Sequence, residues 1–578
     1  MRTRIGDDDD VSDSASLSVS RRRPAPATDP VQQLRGPSPA LWWLPALCAA
    51  GYAAAVILNF HAIITSVYVN SDAALAPVLG QAAAHLPAGT YISLGNHAWY
   101  EEWLFLLATR SLPSHRGLWE LAPALWSLCG VLLLAWSARR AFDAWSASIS
   151  AAALLCAGAF GRFCMLAVNW HSLALVHTIL VAAALVWIAG RVERMSARAV
   201  AAAAVALGAL SALPTASDTL FPFWALIPLG GASAVVAGRL TPRARGKLAL
   251  FTLTVIAVAI LGGVLLAAVM RAGGITARSL PVGLVASNML THNLALLARS
   301  DAFLGGGRLS ALGPTLEGVL LFASAVMVLC ALLLALEQAR RLLMRRALRR
   351  GMSPAALAYL SFWSLSLLCT TLVFILSDAP KDALSGRYLL AGYAAAAALL
   401  PLAGAGVRSR RALTAGVCAF ALIGTYQVLH APFTVITSPE VAVRFPGPSA
   451  AAELKAFAAS EHVSVGYGGY WDAEELTWAT DFAVPVRPVR TCDPLSHTLC
   501  YPQLGMISSW YEPRSGIRSL LIVDSLDTSF NAVLHPDPEL GAPVAERNLG
   551  YIRALVYPYD IASRIHTPHC HFTWPHPC

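Results

Sequence analysis

Apolar runs of roughly 20 residues recur along this 578-residue chain. That is the length a helix needs to cross a bilayer. Eleven runs qualify: 41–64, 118–137, 147–166, 172–190, 199–213, 220–238, 248–270, 313–336, 355–377, 388–407 and 412–429. The fifth is short and ends at Pro214, which predicts a tilted or broken span. The stretch 281–298 is apolar but carries Asn288, His292 and Asn293, so it reads as an interfacial or re-entrant helix. Between the first two spans lie two amphipathic stretches, 73–86 and 96–112. In the second, Trp99, Trp103, Leu106 and Leu107 share one helical face, which suits a helix lying in the membrane interface. Its other face presents His97, Glu101 and Glu102.

Composition sharpens this picture. Hydrophobic residues make up 56% of the chain and charged residues only 13%, about half the usual supply of a soluble domain. This excludes a single soluble domain, a disordered protein and a DNA-binding protein in water. The net charge of +9 reports topology instead. With the N-terminus inside, the cytoplasmic segments hold 24 Lys and Arg, against nine on the opposite side. That asymmetry follows the positive-inside rule. Eleven spans then put the C-terminal region, 431–578, outside.

Cysteine usage agrees with that placement. Seven of the eleven cysteines lie in spans, where a thiol is a small apolar group. The other four, Cys492, Cys500, Cys570 and Cys578, lie in the tail as two Cys-x7-Cys pairs. Two local disulfides in an oxidising compartment are expected, Cys492–Cys500 and Cys570–Cys578; a zinc site competes, since His571 and His576 lie beside Cys570 and Cys578, but the Cys-x2-Cys spacing is lacking. Residues 1–40, with Asp7–Asp10 and Arg21–Arg23, read as a disordered cytoplasmic arm. In the tail, a helix at 449–460, a strand at Val463–Gly466, a Gly-rich turn at Gly466–Gly469 and a helix at Asp472–Thr480 are followed by strands at Leu520–Val523 and Ile552–Tyr557. This predicts a small α/β domain. The organisation expected is therefore an arm (1–40), a mainly α transmembrane domain of about eleven helices (41–430) and an extracytoplasmic α/β domain (431–578).

Polar residues at the membrane boundary are costly and point to chemistry. The first outer loop opens Asn70-Ser71-Asp72 directly after the first span. A carboxylate there can be the general base that takes the proton of a hydroxyl attacking a lipid-linked sugar. Cations must then stabilise the leaving phosphate; the outer-face candidates are Arg162, Arg278, Lys381 and Arg387. Arg387, in Ser385-Gly386-Arg387-Tyr388, could equally be an anchor that snorkels to the headgroups. Asp72 could be an ordinary N-cap, as could Asp218 in the loop between spans five and six; Asp218 could instead position an acceptor. Trp170-His171 reads as an aromatic-belt feature, and Asp378 and Asp382 as partners of Lys381. Trp471, Trp478 and Trp510 could form a sugar platform or the core of the tail domain.

Asp72 after the first span, the amphipathic helices of the first loop and the C-terminal domain outside resemble the GT-C superfamily of integral-membrane glycosyltransferases. The segment Asn96-His97-Ala98-Trp99-Tyr100-Glu101-Glu102-Trp103-Leu104 is similar in position to the polar-then-aromatic segment of its aminoarabinose and mannosyl transferases. The resemblance implies a polyprenyl-phosphate sugar donor, inversion at the anomeric carbon and Asp72 as the catalytic base. Substrate contacts are expected at Asn70, His97, Tyr100, Glu101, Glu102, Asp218, Arg278, Lys381 and Arg387. No Asp-x-Asp pair stands at Asp72 and no Lys-Pro-Pro around His97. The resemblance therefore assigns neither a particular sugar nor a metal ligand, and use of a divalent cation is left open. The expected partners are the lipid-linked donor, the bilayer, and an envelope glycan, lipid or protein as acceptor, with no nucleic acid. The expected location is the bacterial cytoplasmic membrane. Competing readings are a flippase of lipid-linked saccharides, a polymerase or ligase of them, and an assembly protein. Spans nearly free of charge, with polar residues gathered on one face, favour surface chemistry over passage across the bilayer.

Overall fold

The computed structural model describes residues 41–566 apart from short internal segments, the longest being 305–315. The 1–40 arm, Asn70, His97, Arg278 and the Cys570–Cys578 pair lie outside the described residues.

The chain begins with α1 (Trp43–Leu58), α2 (Ser71–Ala83), the short strand β1 (Ile92–Leu94) and α3 (Trp99–Ser111). Long helices follow: α4 (Arg116–Ala141), α5 (Ala144–Leu155), α6 (Ala159–Leu166), α7 (Ser172–Ala189) and α8 (Ala197–Ser217). A π-helical turn at Pro222–Leu226 leads into α9 (Ile227–Ala237), and α10 (Pro242–Ala272) ends at strand β2 (Ile275–Ala277). The bundle closes with α11 (Leu290–Leu304), α12 (Leu316–Met344), α13 (Pro354–Leu376), a 3-10 turn at Ala383–Leu389, α14 (Leu390–Leu399) and α15 (Val407–His430).

Seven helices among the described residues are long and apolar enough to cross a membrane, or eight with one bent pair. The chain is thus a multi-pass helical membrane protein. The expected eleven spans differ from this count for local reasons. Run 147–166 is α5 and α6, which meet at 94°. The first run forms the 16-residue α1. The sixth forms the short apolar helix Pro222–Ala237, opened by the π turn, and within the eighth the described apolar helix is Ala325–Leu334. The fifth run, by contrast, continues through Pro214 into a 21-residue helix. Packing places α8 along α10, α4 along α7, α9 along α13 and α1 along α15. Large side chains such as Trp145, Trp224, Trp363 and Tyr359 are fully buried between them.

The C-terminal region opens on the antiparallel pair β3 (Thr437–Ser438) and β4 (Val441–Ala442). It carries a five-stranded sheet whose strands lie in the order β11 (Ala545–Leu549), β12 (Ile552–Tyr557), β10 (Arg518–Asp524), β5 (Val463–Gly468) and β6 (Val486–Pro488). The β5–β10 and β5–β6 pairs are parallel; β10–β12 and β11–β12 are antiparallel. Side chains alternate in strict period two. Leu520 and Ile522 pack with Leu454 and Leu476 of the helices α16 (Gly447–Ser460) and α17 (Tyr470–Ala479). Leu521 and Val523 pack on the opposite face with Tyr467 and Tyr557. The expected turn at Gly466–Gly469 is corrected: Gly466 and Gly468 lie inside β5. A Cβ on Gly466 would stand 2.9 Å from Leu520 Cδ1 and 3.1 Å from Val486 Cγ2. Glycine serves there for close packing between neighbouring side chains. The Cys492–Cys500 disulfide is formed, beside the antiparallel pair β7 (Arg490–Thr491) and β8 (Leu499–Cys500).

The two regions are joined by a second sheet, β2-β1-β9, where β9 is Met506–Ile507. Ile92 pairs with Ile275 on one side and Ile507 on the other. Beneath it one apolar cluster joins Leu75 and Leu79 of α2, Trp99 and Tyr100 of α3, Leu173 of α7, Met270 of α10 and Ile507. The junction is therefore core, not a linker.

Candidate active site

Asp72 sits in the first turn of α2. An acid there is favoured by the partial positive charge at a helix start. Its Oδ1 accepts a hydrogen bond of 2.8 Å from the hydroxyl of Tyr470, the first residue of α17 in the C-terminal region. The neighbouring Ser71 hydroxyl donates to the Trp471 carbonyl at 2.9 Å and accepts from the Glu475 amide at 3.4 Å. Two helix N-termini, nearly 400 residues apart, are thus locked together at the candidate base. Burial pushes the Asp72 carboxyl above its ordinary value; the charge of Arg387 and the Tyr470 hydrogen bond work against that rise.

Arg387 lies in the 3-10 turn Ala383–Leu389, which begins with a capping box made by Asp382 and Ser385. Its guanidinium lies 4.9 Å from the Trp170 ring centroid and 5.0 Å from that of Tyr388, and it donates to the Tyr388 hydroxyl at 3.1 Å. It is half-buried between aromatic faces, and its charge acts on Asp72. Snorkelling does not describe this placement. Trp170 in turn is buried against Phe160 and Phe163, so it is no belt residue.

Two more acids close in on Asp72. Glu102 is buried and accepts from the Gly95 amide at 2.6 Å. Glu474 is fully buried one turn along α17 from Tyr470. Burial, with Asp72 nearby, pushes both well above the ordinary carboxyl value, which favours their protonated forms. Glu101 accepts from the Leu173 amide at 2.9 Å and so caps α7 from another helix. These two acids of α3, which the sequence placed on its polar face as substrate contacts, are therefore both buried. Tyr100 is buried beside them, with its ring edge on His177.

Asp218 forms a buried pair with His171, 2.6 Å from Nδ1, and its Oδ1 accepts from the Leu220 amide at 3.0 Å. His171 holds a left-handed backbone, φ 66°, a conformation that is uncommon outside glycine. Its ring stands 5.5 Å from that of Tyr388, edge to face, which connects the pair to Arg387. The remaining expectations disperse. The Lys381 side chain is exposed. Asp378 accepts from the Gly283 amide and Asp382 caps the 3-10 turn, so both serve the backbone. Arg162 is buried in the bundle and donates to Tyr52. Asn293 donates to the last carbonyls of α13, and His292 is exposed. Trp478 is buried, while Trp471 is 37% exposed beside Tyr470.

The structure therefore brings Asp72, Arg387, Glu102 and Tyr100 to one end of the bundle, with Glu101 and Asp218 in the shell behind them. Sequence reasoning missed Tyr470 and Glu474. The signal available was a pair of adjacent acids, Glu474-Glu475, in a helix whose neighbours are mostly apolar or aromatic. Among the described residues, no group of three or more His, Cys, Asp or Glu side chains has the geometry to hold a metal ion.

No known protein family matches the chain, and no curated protein does. It is similar to solved structures of an archaeal oligosaccharyltransferase. One is AglB from Archaeoglobus fulgidus in complex with an inhibitory peptide and a dolichol-phosphate: 13% identity, TM-score 0.43, covering 75% of this chain and 64% of that one. Another is the Archaeoglobus fulgidus oligosaccharyltransferase complexed with Zn and sulfate: 13% identity, TM-score 0.45, covering 83% of this chain and 68% of that one. This chain thus spans less than two thirds of the first neighbour's length. At such scores neither likeness carries an argument about activity. What stands is that these neighbours are solved structures of an oligosaccharyltransferase.

Proposed function

We propose that this protein is an inverting membrane glycosyltransferase that moves a sugar from a polyprenyl-phosphate donor to an envelope glycan, lipid or protein at the outer face. The observation that carries the reading is that Asp72, held by Tyr470, and Arg387, held between Trp170 and Tyr388, lie at one end of an apolar bundle, close enough for the guanidinium charge to act on the carboxyl. A base and a cation are the two groups that glycosyl transfer from a lipid phosphate requires. The acceptor hydroxyl attacks the anomeric carbon and forms the new C–O bond. The bond from that carbon to the phosphate oxygen breaks on the opposite side, and both electrons leave with the phosphate. Asp72 takes the hydroxyl proton. Arg387, already oriented by Trp170 and Tyr388, neutralises the charge on the departing phosphate. Burial of Asp72 supports its role, because a raised carboxyl is a stronger base once ionised.

A flippase or an assembly protein would need neither a base nor a phosphate cation at one mouth of the bundle. A polymerase or ligase shares the chemistry and differs in product. The test is transfer by purified protein in nanodiscs from a panel of radiolabelled polyprenyl-phosphate sugars, wild type beside Asp72→Asn. Loss of transfer by about 100- to 10,000-fold, the usual worth of a general base, is expected in a variant that folds and binds donor. Equal transfer by both proteins would remove Asp72 from the mechanism. Donor binding without transfer by either would remove the enzyme.

A further inference from the structure

We infer that Tyr470 is a positioning residue of this same site, through which the C-terminal domain sets the working state of Asp72. The inference rests on the proposed role of Asp72 and extends it to a residue 398 positions away. Three observations lead there. The Tyr470 hydroxyl donates directly to Oδ1 of Asp72 at 2.8 Å. The helix that carries it is fixed against α2 by Ser71, which bridges the Trp471 carbonyl and the Glu475 amide. Gly505, at φ +70°, leaves room behind it: a Cβ there would stand 3.1 Å from Tyr470 Cε2 and 3.0 Å from Leu75 Cδ1. The Gly505 backbone thus lies against the tyrosine ring, whose hydroxyl points at the base.

The groups known to act on Asp72 among the described residues oppose one another. Arg387, from the 3-10 turn, and the Tyr470 hydroxyl, from α17, favour the ionised carboxylate. Glu102 of α3 and Glu474 of α17 are acids, and burial keeps both toward their neutral forms. Tyr470 is the member of this set that bonds Asp72 and belongs to the C-terminal domain. Its own phenol is pushed well above the ordinary value by burial and by Asp72, so it stays a donor across the working range. A donor removed from a carboxylate raises the pH at which that carboxylate ionises.

The experiment is the pH profile of transfer by the full-length protein, with Asp72→Asn measured in parallel. Tyr470→Phe is expected to move the acid limb to higher pH by about one unit, the scale of one hydrogen bond to a charged acceptor, with transfer largely recovered on the alkaline side. Site-specific 3-fluorotyrosine at position 470 keeps the size, strengthens the donor and is expected to move the limb the opposite way. It also keeps the test open if the phenylalanine variant does not fold. Tyr511→Phe removes a buried hydroxyl of the same domain that donates to the Pro488 carbonyl; it is expected to lower stability and leave the limb in place. An unmoved limb in the Tyr470 variants, with Asp72→Asn inactive, would overturn the role of Tyr470 and leave the enzyme reading intact. Full activity of Asp72→Asn would overturn both.

Discussion

Arg387→Lys separates the shape of the cation from its charge. The guanidinium lies 4.9 Å from one aromatic centroid and 5.0 Å from another, and bonds the Tyr388 hydroxyl. A lysine keeps the charge but has no planar fork to lie on both rings and bond at once. Losing part of two cation–π contacts, at about 0.5–2 kcal/mol each, and one hydrogen bond, at about 1 kcal/mol, sums to about 2–3 kcal/mol. At 1.36 kcal/mol per tenfold, kcat/KM for the lipid-linked donor should fall about 30- to 150-fold. If Arg387 acts on the leaving phosphate, most of this loss falls on kcat, since the charge develops only as the bond breaks. Arg387→Gln removes the charge as well. The Asp72 carboxyl, already raised by burial and held back in part by Arg387, then rises further. A base works ionised, so transfer is lost as pH falls through that raised value, and the acid limb of the glutamine variant should lie above that of wild type and of the lysine variant. Steady-state rates in nanodiscs from pH 5 to 9, normalised to folded protein, read both effects. A lysine variant within threefold of wild type, or a glutamine variant with an unmoved limb, would refute this account of the site.

Other variants probe the support around it. Glu475 is buried on α17, and its carboxyl is pushed well above the ordinary value by burial and by Asp472 and Asp524. A raised folded-state value gives stability that is present below the unfolded value, near 4.5, and lost as pH rises. Glu475→Gln should therefore become more thermostable than wild type as pH goes from about 5 to 8, by up to about 1.4 kcal/mol per unit; a gap that stays flat with pH contradicts this. Asp218→Ala strips the acceptor from His171 and from the Leu220 amide, both buried. The cost should be about 2–4 kcal/mol, read as a lower melting temperature, and a loss under about 1 kcal/mol would show that the pair has other support.

What the sequence revealed followed periodicity and what it concealed followed distance. Long apolar runs announced the bundle, because a membrane helix is specified by its own residues. The strands Val463–Gly468, Arg518–Asp524 and Ile552–Tyr557 were legible because their residues alternate or are uniformly apolar. Asp72 stood out by its place after the first apolar run, and Arg387 by its place before the tenth. Their partners did not. That Tyr470 meets Asp72, or His171 meets Asp218, depends on how whole elements pack, and no local pattern encodes it. Glu101 shows the same limit: it read as a substrate contact on the polar face of an amphipathic helix, and its partner, the start of a neighbouring helix, comes from packing. The bend between Leu155 and Phe160 was equally hidden, because hydropathy does not register direction.

The small sheet that joins the two regions has a consequence for biosynthesis. Its central strand, Ile92–Leu94, is made long before its antiparallel neighbour, Met506–Ile507. At about 5–20 residues per second, the first loop waits for roughly 20 to 80 seconds before the segment that carries Tyr470 emerges. During that interval one edge of the strand has no partner, an exposed edge that invites wrong pairing. The nascent chain must therefore be shielded, or its first loop held against the membrane, until that segment arrives. Because Asp72 and its hydrogen-bond donor come from opposite ends of that interval, the site is assembled only after the segment that carries Tyr470 has been made.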